Sequence, residues 1–207
     1  MWDFRQFSGR IAAVDESGRA LYYEELEEEN QRFEEALGGR SLVFVLCSNT
    51  MGGLTGYTGC LNGGSVPLLL PRNLDEELLT GLLCIYQPDY LWVPEDLAYR
   101  FEHLTARYEA FGYMLLETGY KKGCPLYEEL CLLLTTSGST GSPKLVRQSY
   151  NNVLSNARSI VEYLELDEGE RPITTLPMNY TYGLSIINSH LLVGAEILLT
   201  DKGLMQK

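Results

Sequence analysis

Uninterrupted apolar runs alternate along this chain with longer segments in which apolar residues recur every three or four positions. The runs at 42–47, 65–70, 90–93 and 131–134 contain no regular polar alternation, which is typical of strands covered on both faces. The segments that repeat at helical spacing predict helices. Strands and helices that alternate in this way predict an α/β fold with a mainly parallel, helix-flanked sheet and with ligand sites at the carboxyl ends of the strands.

The same patterns predict the elements outside those runs. A turn at 15–18 predicts two short strands, and the apolar face of the next segment predicts a helix at 23–37. Asn73, with Glu76 three residues later, predicts the N-cap of a helix that Pro88 ends. The remaining predicted helices are 51–61, 94–101, one that begins after Ser149, and 184–193; the remaining predicted strands are 112–117, 145–147, 173–176 and 195–200.

A polar loop follows the apolar run at 131–134 and consists of hydroxyl residues, glycines, one proline and a final lysine. Glycines let main-chain N–H groups approach an anion, hydroxyls donate further hydrogen bonds to phosphate oxygens, and the lysine adds a positive charge. The candidate phosphate-binding residues are Thr136, Ser137, Gly138, Ser139, Thr140, Gly141, Ser142 and Lys144. The alternative is a Ser/Gly-rich surface turn without a ligand.

The spacing distinguishes this loop from two common phosphate-binding motifs. A Walker A loop has Lys directly after its last glycine, whereas Ser142 and Pro143 separate Gly141 from Lys144, and the sequence contains no G-x-G-x-x-G. The order Thr-Ser-Gly-Ser-Thr-Gly-Ser-Pro-Lys after an apolar strand resembles the phosphate loop of the adenylate-forming superfamily of AMP-dependent synthetases and ligases. That superfamily includes acyl-CoA synthetases, adenylation domains of peptide synthetases and luciferases. The resemblance implies that residues 136–144 hold the triphosphate of ATP.

A second segment, Leu-Pro-Met-Asn-Tyr-Thr-Tyr-Gly at 176–183, resembles another motif of the same superfamily. There a Pro, an aromatic residue or His, and a Gly form a strand-to-helix turn on which the acyl substrate rests. The resemblance places Tyr180 beside the carboxylate that attacks ATP and implies that Gly183 leaves room for the substrate. The alternative is that Tyr180 and Tyr182 only pack at a seam between subdomains, and for Tyr182 that interpretation is favoured.

Composition narrows the partners and the compartment. The net charge of −12 argues against nucleic acid or an anionic membrane surface as the main partner, and no apolar run is long enough to span a membrane. The five cysteines form no metal-ligand spacing and are interpreted as reduced core thiols of a cytoplasmic protein. No secretory signal is recognised at the N-terminus. Two distant histidines, His103 and His190, give little support to a metal site or a catalytic triad, and His190 is expected to be a satisfied core or seam residue.

The resemblance covers most of the chain, with a subdomain boundary expected near 118–129, whereas the chain covers only part of the family. The family's later motifs, which hold adenine, ribose and Mg²⁺ and supply a C-terminal lysine, find no match before Lys207. We therefore expect a partial N-terminal AMP-binding domain of an acyl-CoA synthetase-like ligase. The intact enzyme would use ATP and Mg²⁺ to activate a carboxylic acid and transfer it to the thiol of CoA or of a carrier protein. The fragment alone is expected to turn over little or not at all.

Two alternatives stay open from the sequence. One is an amino-acid adenylation domain that loads a carrier protein, for which an Asp at position 179 or 180 would have been a favourable sign; Asn179 and Tyr180 stand there instead. The other is a non-catalytic protein that keeps the fold as a binding or assembly module. Which acid is activated is not predicted by these patterns.

Overall fold

The computed structural model describes residues 1–120, 125–135 and 144–202. Within these residues the chain forms five α-helices, ten strands and two 3₁₀ helices. The strands are β1 (Ile11–Val14), β2 (Ala20–Tyr22), β3 (Leu42–Cys47), β4 (Val66–Pro71), β5 (Tyr90–Pro94), β6 (Thr105–Ala110), β7 (Tyr113–Glu117), β8 (Leu130–Thr135), β9 (Leu145–Ser149) and β10 (Ile197–Leu198). The α-helices are α1 (Tyr23–Leu37), α2 (Met51–Asn62), α3 (Glu76–Tyr86), α4 (Tyr150–Leu164) and α5 (Thr181–Val193), and the 3₁₀ helices are Phe4–Phe7 and Glu95–Phe101.

The strands form two sheets, and the larger has the order β6-β7-β5-β3-β4-β8-β9. Its four central strands, β5, β3, β4 and β8, run parallel to one another. The pairings at both edges are antiparallel. The smaller sheet has the order β10-β1-β2, with β1 parallel to β10. The predicted α/β class is confirmed, with parallel pairing of the larger sheet confined to its centre.

The larger sheet is covered on both faces, which explains its unalternated apolar runs. Successive side chains of a strand point to opposite faces. Accordingly Val43 and Val45 of β3 belong to one apolar cluster, which includes residues of α1 and α2, while Phe44 and Leu46 belong to a second cluster, which includes residues of α3. Every residue of β3 is buried. A strand of this kind needs no polar face, so its sequence carries none.

Most predicted elements are confirmed to within a few residues. The helix at 23–37 has the predicted bounds, and the Ser149 side chain accepts a hydrogen bond from the Asn152 N–H at the start of α4. Gly194 ends α5 in the left-handed conformation. The boundary expected near 118–129 lies partly outside the described residues and stays a prediction; the strands on either side of it, β7 and β8, belong to the same sheet.

Three predicted features need correction, and one strand was not predicted. The N-cap of α3 is Asp75, whose carboxylate accepts from the Leu78 N–H, and not Asn73. The predicted strand at 173–176 is only a single bridge between Ile173 and Leu198, because the Thr174 and Leu176 carbonyls accept from a side chain instead of a neighbouring strand. The strand predicted at 195–200 shrinks to Ile197–Leu198. The edge strand β6 was not predicted, because it is short and only Tyr108 and Ala110 of its six residues pack against the core.

Candidate functional site

A cleft of about 700 Å³ opens where β3 and β4 end. Its opposite wall is the segment that runs from the bridge at Ile173 to the start of α5. The side chains and backbone around it belong to Cys47, Ser48, Asn49, Pro71, Arg72, Asn73, Thr175, Pro177, Met178, Asn179, Tyr180 and Asp201. A cleft at the carboxyl ends of parallel strands is the place where α/β folds bind ligands, and its volume is within the range of small-molecule sites.

Asn49 joins the two walls of this cleft. Its side-chain Nδ2 donates to the carbonyl oxygens of Thr174 (2.7 Å), Leu176 (3.0 Å) and Thr200 (3.2 Å). Its Oδ1 accepts from the Met178 N–H at 3.0 Å. Because three carbonyl oxygens can only accept, the amide nitrogen must be the atom that faces them. Asn49 is 5% exposed, so these hydrogen bonds are shielded from water.

The backbone of Asn49 adds a further tie. Its N–H donates to Asp201 Oδ1 at 2.6 Å. The neighbouring Ser48 N–H donates to the Tyr113 hydroxyl at 3.2 Å, which anchors the end of β3 against β7. The cleft wall at residues 48–49 is therefore held on both sides by hydrogen bonds with fixed partners.

Tyr180 stands at the N-cap position of α5, at the rim of the cleft. Its backbone N–H donates to the Pro177 carbonyl at 3.1 Å, and its own carbonyl accepts from the Leu184 N–H at 2.9 Å. The side chain is 57% exposed. The structure thus brings Tyr180 to the cleft with an accessible ring. Tyr182 is 67% exposed, so the described residues do not bury it, and its packing at a seam stays a prediction.

Gly183 is required by close packing of the backbone. A Cβ at this position would lie 2.7 Å from the Leu176 carbonyl oxygen and even closer to that of Pro177. The first turn of α5 can therefore rest against the 176–177 peptides only because this residue has no side chain. The space beside Gly183 is taken by the chain's own backbone, and its role in binding substrate stays a prediction.

Charges and ionisable groups in the cleft are largely paired or neutral. Burial raises the pKa of the Cys47 thiol to about 12, so it is protonated near neutral pH and is not a nucleophile. The Arg72 guanidinium bonds to Asp96 at 2.5 Å, just outside the cleft. Burial also raises the pKa of Tyr113. The lining is suited to binding and orienting a ligand rather than to covalent catalysis.

Most of the predicted phosphate loop lies outside the described residues. This applies to Thr136, Ser137, Gly138, Ser139, Thr140, Gly141 and Ser142, whose roles stay predictions. Lys144 is described and is exposed, immediately before β9. The loop connects β8 to its antiparallel partner β9, with Thr135 opposite Leu145. Since β8 is parallel to β4, both ends of the loop lie at the same edge of the sheet as the cleft.

Other residues singled out from the sequence behave as follows. His190 is 8% exposed and its Nδ1 lies 2.7 Å from the Ile186 carbonyl oxygen, as expected for a satisfied core histidine. Cys47, Cys60 and Cys131 are free and buried, as predicted, whereas Cys84 is exposed on α3, so the core interpretation is wrong for it. Cys124 lies outside the described residues. No helix in the described part of the chain has the length and apolar character needed to cross a membrane.

Sequence reasoning missed Asn49 and Asp201. A single Asn after a strand is typical of turns and helix caps, so it carries no signal of its own. The available signal was its position, because 48–50 is the first polar stretch after a buried strand, at the same edge as the loop after β8. The rule that places ligand sites at the carboxyl ends of strands applies to β3 as well as to β8.

Comparison with known proteins gives the family. A model of the family described as AMP-binding enzyme matches residues 2–207. The 2-succinylbenzoate–CoA ligase of Bacillus cytotoxicus is 28% identical over 151 residues, which cover 67% of this chain and 29% of that protein. The 3,4-dihydroxybenzoate–[aryl-carrier protein] ligase of Bacillus anthracis is 41% identical over 59 residues, 28% of this chain and 14% of that protein. The matches thus span less than a third of either relative.

A solved structure extends the likeness to the fold. The O-succinylbenzoate coenzyme A synthetase of Bacillus subtilis, in complex with ATP and magnesium ion, has a TM-score of 0.76 to this chain at 21% identity. The alignment covers 98% of this chain and 57% of that one. The family match over nearly the whole length, together with the shared fold, establishes that this chain belongs to the AMP-binding enzyme family.

Proposed function

We propose that residues 1–207 form part of the N-terminal AMP-binding domain of an AMP-forming ligase. That enzyme activates a carboxylic acid with ATP to an acyl-adenylate and then transfers the acyl group to a thiol. One observation carries the proposal: the Tyr180 cleft and both ends of the phosphate loop, at Thr135 and Lys144, share one edge of the sheet. An acid in the cleft and a triphosphate on the loop would therefore be neighbours.

The chemistry needs the two substrates side by side. In the first step a carboxylate oxygen attacks the α-phosphorus of ATP, and the bond to pyrophosphate breaks as the new O–P bond forms. Residues 136–144 would bind the triphosphate, and the positive charge of Lys144 would offset negative charge on the departing pyrophosphate. In the second step the thiol sulfur attacks the acyl carbon, AMP leaves with the bonding electrons, and the thiol proton passes to solvent.

We propose that the described residues serve to position the substrates. No group of three or more His, Cys, Asp or Glu side chains within 1–120, 125–135 and 144–202 is arranged as a metal site. We assign no Mg²⁺ ligand to this part of the chain, and ATP would bring Mg²⁺ as its own complex. The cytoplasmic location that we propose is supported by the free thiols of Cys47, Cys60 and Cys131.

The relatives suggest the class of acid. Two are named for 2-succinylbenzoate and 3,4-dihydroxybenzoate, which are aromatic acids with further polar groups. The cleft is lined by apolar side chains, such as Met178, and by polar side chains, such as Asn179 and Asp201, and such a lining is suited to these molecules. We therefore propose a substituted aromatic acid as substrate, with CoA or a carrier protein as acceptor, in line with the acceptors named in those two relatives.

The test is ATP/pyrophosphate exchange by the full-length protein with a panel of aromatic, fatty and amino acids. We expect exchange that depends on one class of acid. Lys144→Ala should lower kcat/KM for ATP by about 100-fold, the usual effect of removing one charge-stabilising donor. Tyr180→Ala should mainly affect kcat/KM for the acid. Matched controls are Arg158→Ala and Tyr163→Ala on the exposed side of α4. Absence of exchange with every acid in a folded protein would refute the proposal.

A further inference from the structure

The turn that carries Tyr180 has little structure of its own. Residues 174–180 form neither a strand nor a helix, and Leu176 and Tyr180 are both substantially exposed. A segment of this kind keeps one conformation only if groups elsewhere satisfy its backbone. The position of the Tyr180 ring therefore depends on the contacts that hold this turn.

Asn49 supplies those contacts through one side chain. It accepts from the Met178 N–H and donates to the Leu176 carbonyl, so it holds the peptide groups on both sides of Pro177. The Pro177 carbonyl in turn accepts from the Tyr180 N–H. A continuous path of two hydrogen bonds and one proline, whose ring restricts the backbone, links Asn49 to the residue that rims the cleft.

The same side chain also holds the end of the smaller sheet. Its Nδ2 donates to Thr200 and Thr174, which are joined to each other because the Thr200 N–H donates to Thr174 Oγ1 at 3.0 Å. An amide fits this position, because its two N–H hydrogens serve the three carbonyl acceptors, with one hydrogen shared between two of them, while its oxygen accepts from an N–H. An aspartate keeps the shape of the side chain but loses both donor hydrogens, and an alanine loses the donors and the acceptor.

We propose that Asn49 is a positioning residue for the acid substrate, which it serves by fixing the 176–180 turn and thereby the Tyr180 ring at the cleft. This inference rests on the proposed function for its kinetic consequence. The order that Asn49 gives to the turn does not rest on it. Asn49 would act through Tyr180 without contacting the reacting atoms.

An Asn49→Asp variant gives the inference a pH signature. The new carboxylate would face three carbonyl oxygens and lie near the carboxylate of Asp201. The other ionisable groups nearby are Cys47 and Tyr113, which are neutral, Arg72, which is paired with Asp96, and Tyr180 at the rim of the cleft. Lys202 is paired with Glu16 at 2.7 Å. Burial among acceptors raises the pKa of the new carboxyl above its unfolded value of about 3.9. Order in the turn is therefore present at low pH, where the carboxyl donates, and is lost as pH rises.

The first measurement is amide hydrogen exchange, which needs no activity. In Asn49→Ala and in Asn49→Asp near neutral pH, exchange of the Met178 and Tyr180 amides should accelerate at least about fivefold relative to wild type, with amides of β3 unchanged. The matched control is Asn30→Ala, because Asn30 is also a buried asparagine but bonds to Thr58 between α1 and α2. Unchanged exchange at Met178 and Tyr180 in both Asn49 variants would overturn the proposal, whatever the enzyme's reaction.

The second measurement is ATP/pyrophosphate exchange at a temperature where circular dichroism shows every variant folded. Both Asn49 variants should lower kcat/KM for the acid by about tenfold to 100-fold and leave KM for ATP within about twofold. Activity of Asn49→Asp relative to wild type should recover as pH falls towards about 5, whereas Asn49→Ala should not recover. Kinetic losses equal to those of Asn30→Ala would reduce Asn49 to a structural role. No exchange by wild type would refute the proposed function and leave the amide result to decide the inference.

Discussion

Replacing Gly183 with alanine tests the packing of the cleft turn against α5. The added Cβ would lie 2.7 Å from the Leu176 carbonyl oxygen and 2.9 Å from the Pro177 carbonyl carbon, well inside normal contact. Neither carbonyl is free to move, because Leu176 accepts from Asn49 and Pro177 accepts from the Tyr180 N–H. Relief of the overlap must therefore break at least one of these hydrogen bonds or displace the first turn of α5.

Three contributions determine how much Gly183→Ala lowers the free energy of unfolding. Overpacking in a rigid site costs about 1–3 kcal/mol, and the loss of a shielded hydrogen bond costs about 1 kcal/mol more. The gain in helix propensity from Gly to Ala returns about 0.5–1 kcal/mol. The net expectation is a decrease of about 1–3.5 kcal/mol in the free energy of unfolding, which for a chain of this size lowers Tm by roughly 2–14 °C.

Urea unfolding followed by far-ultraviolet circular dichroism measures this loss, provided that the slope m is unchanged. Gly81→Ala is the matched control, because Gly81 lies within α3 and an added Cβ there would meet nothing within 4 Å. It should raise stability by about 0.5–1 kcal/mol. If Gly183→Ala behaved like Gly81→Ala, the turn would be free to yield and the packing argument would be refuted.

Three further predictions concern other parts of the molecule. Asp75→Ala should destabilise α3 by about 1 kcal/mol in urea unfolding, whereas Asn73→Ala should have an effect below about 0.5 kcal/mol, and the reverse order would restore Asn73 as the cap. Iodoacetamide should modify exposed Cys84 rapidly in the folded protein and leave Cys47 unmodified, because burial raises the pKa of Cys47 to about 12; peptide mass spectrometry separates the two, and equal rates would contradict this. Burial raises the pKa of Tyr23, Tyr57 and Tyr113 above 10.0, so their neutral form stabilises the fold fully below that pH and less as pH rises further. Tyrosinate absorbance should therefore increase together with unfolding. Ionisation of these residues in the folded protein would refute this prediction.

The central strands and the helices beside them were predictable because the apolar pattern within each segment is enough to determine its conformation. An unalternated run such as 42–47 has one stable solution, a strand buried on both faces, and the helical spacing at 23–37 left little choice of bounds. The edge strand β6 is different, because its pairing with β7 decides its conformation and its own composition does not.

Within the site, the sequence predicted where Tyr180 and Lys144 lie, but it did not predict which residues Asn49 binds. Tyr180 reaches the cleft as the motif implied, and Lys144 lies at the expected edge of the sheet. The role of Asn49 was not predicted because its partners at 174, 176, 178 and 200 are more than 120 residues away, and no local pattern encodes contacts over such a separation. The strand expected at 173–176 failed for the same reason, since the Asn49 side chain takes the carbonyls of Thr174 and Leu176.

The pairing of β1 with β10 has a consequence for synthesis of the chain on the ribosome. Arg10 donates to the Gly194 carbonyl across a separation of 184 residues, and Ala13 is paired with Ile197. At about 5–20 residues per second, the partner of β1 emerges roughly 10–40 s after β1 itself. During that interval the edge of β1 that later pairs with β10 is unpaired, and an unpaired strand edge is a template for association with other chains. Nascent polypeptides of this protein therefore need protection of β1 until β10 has been made.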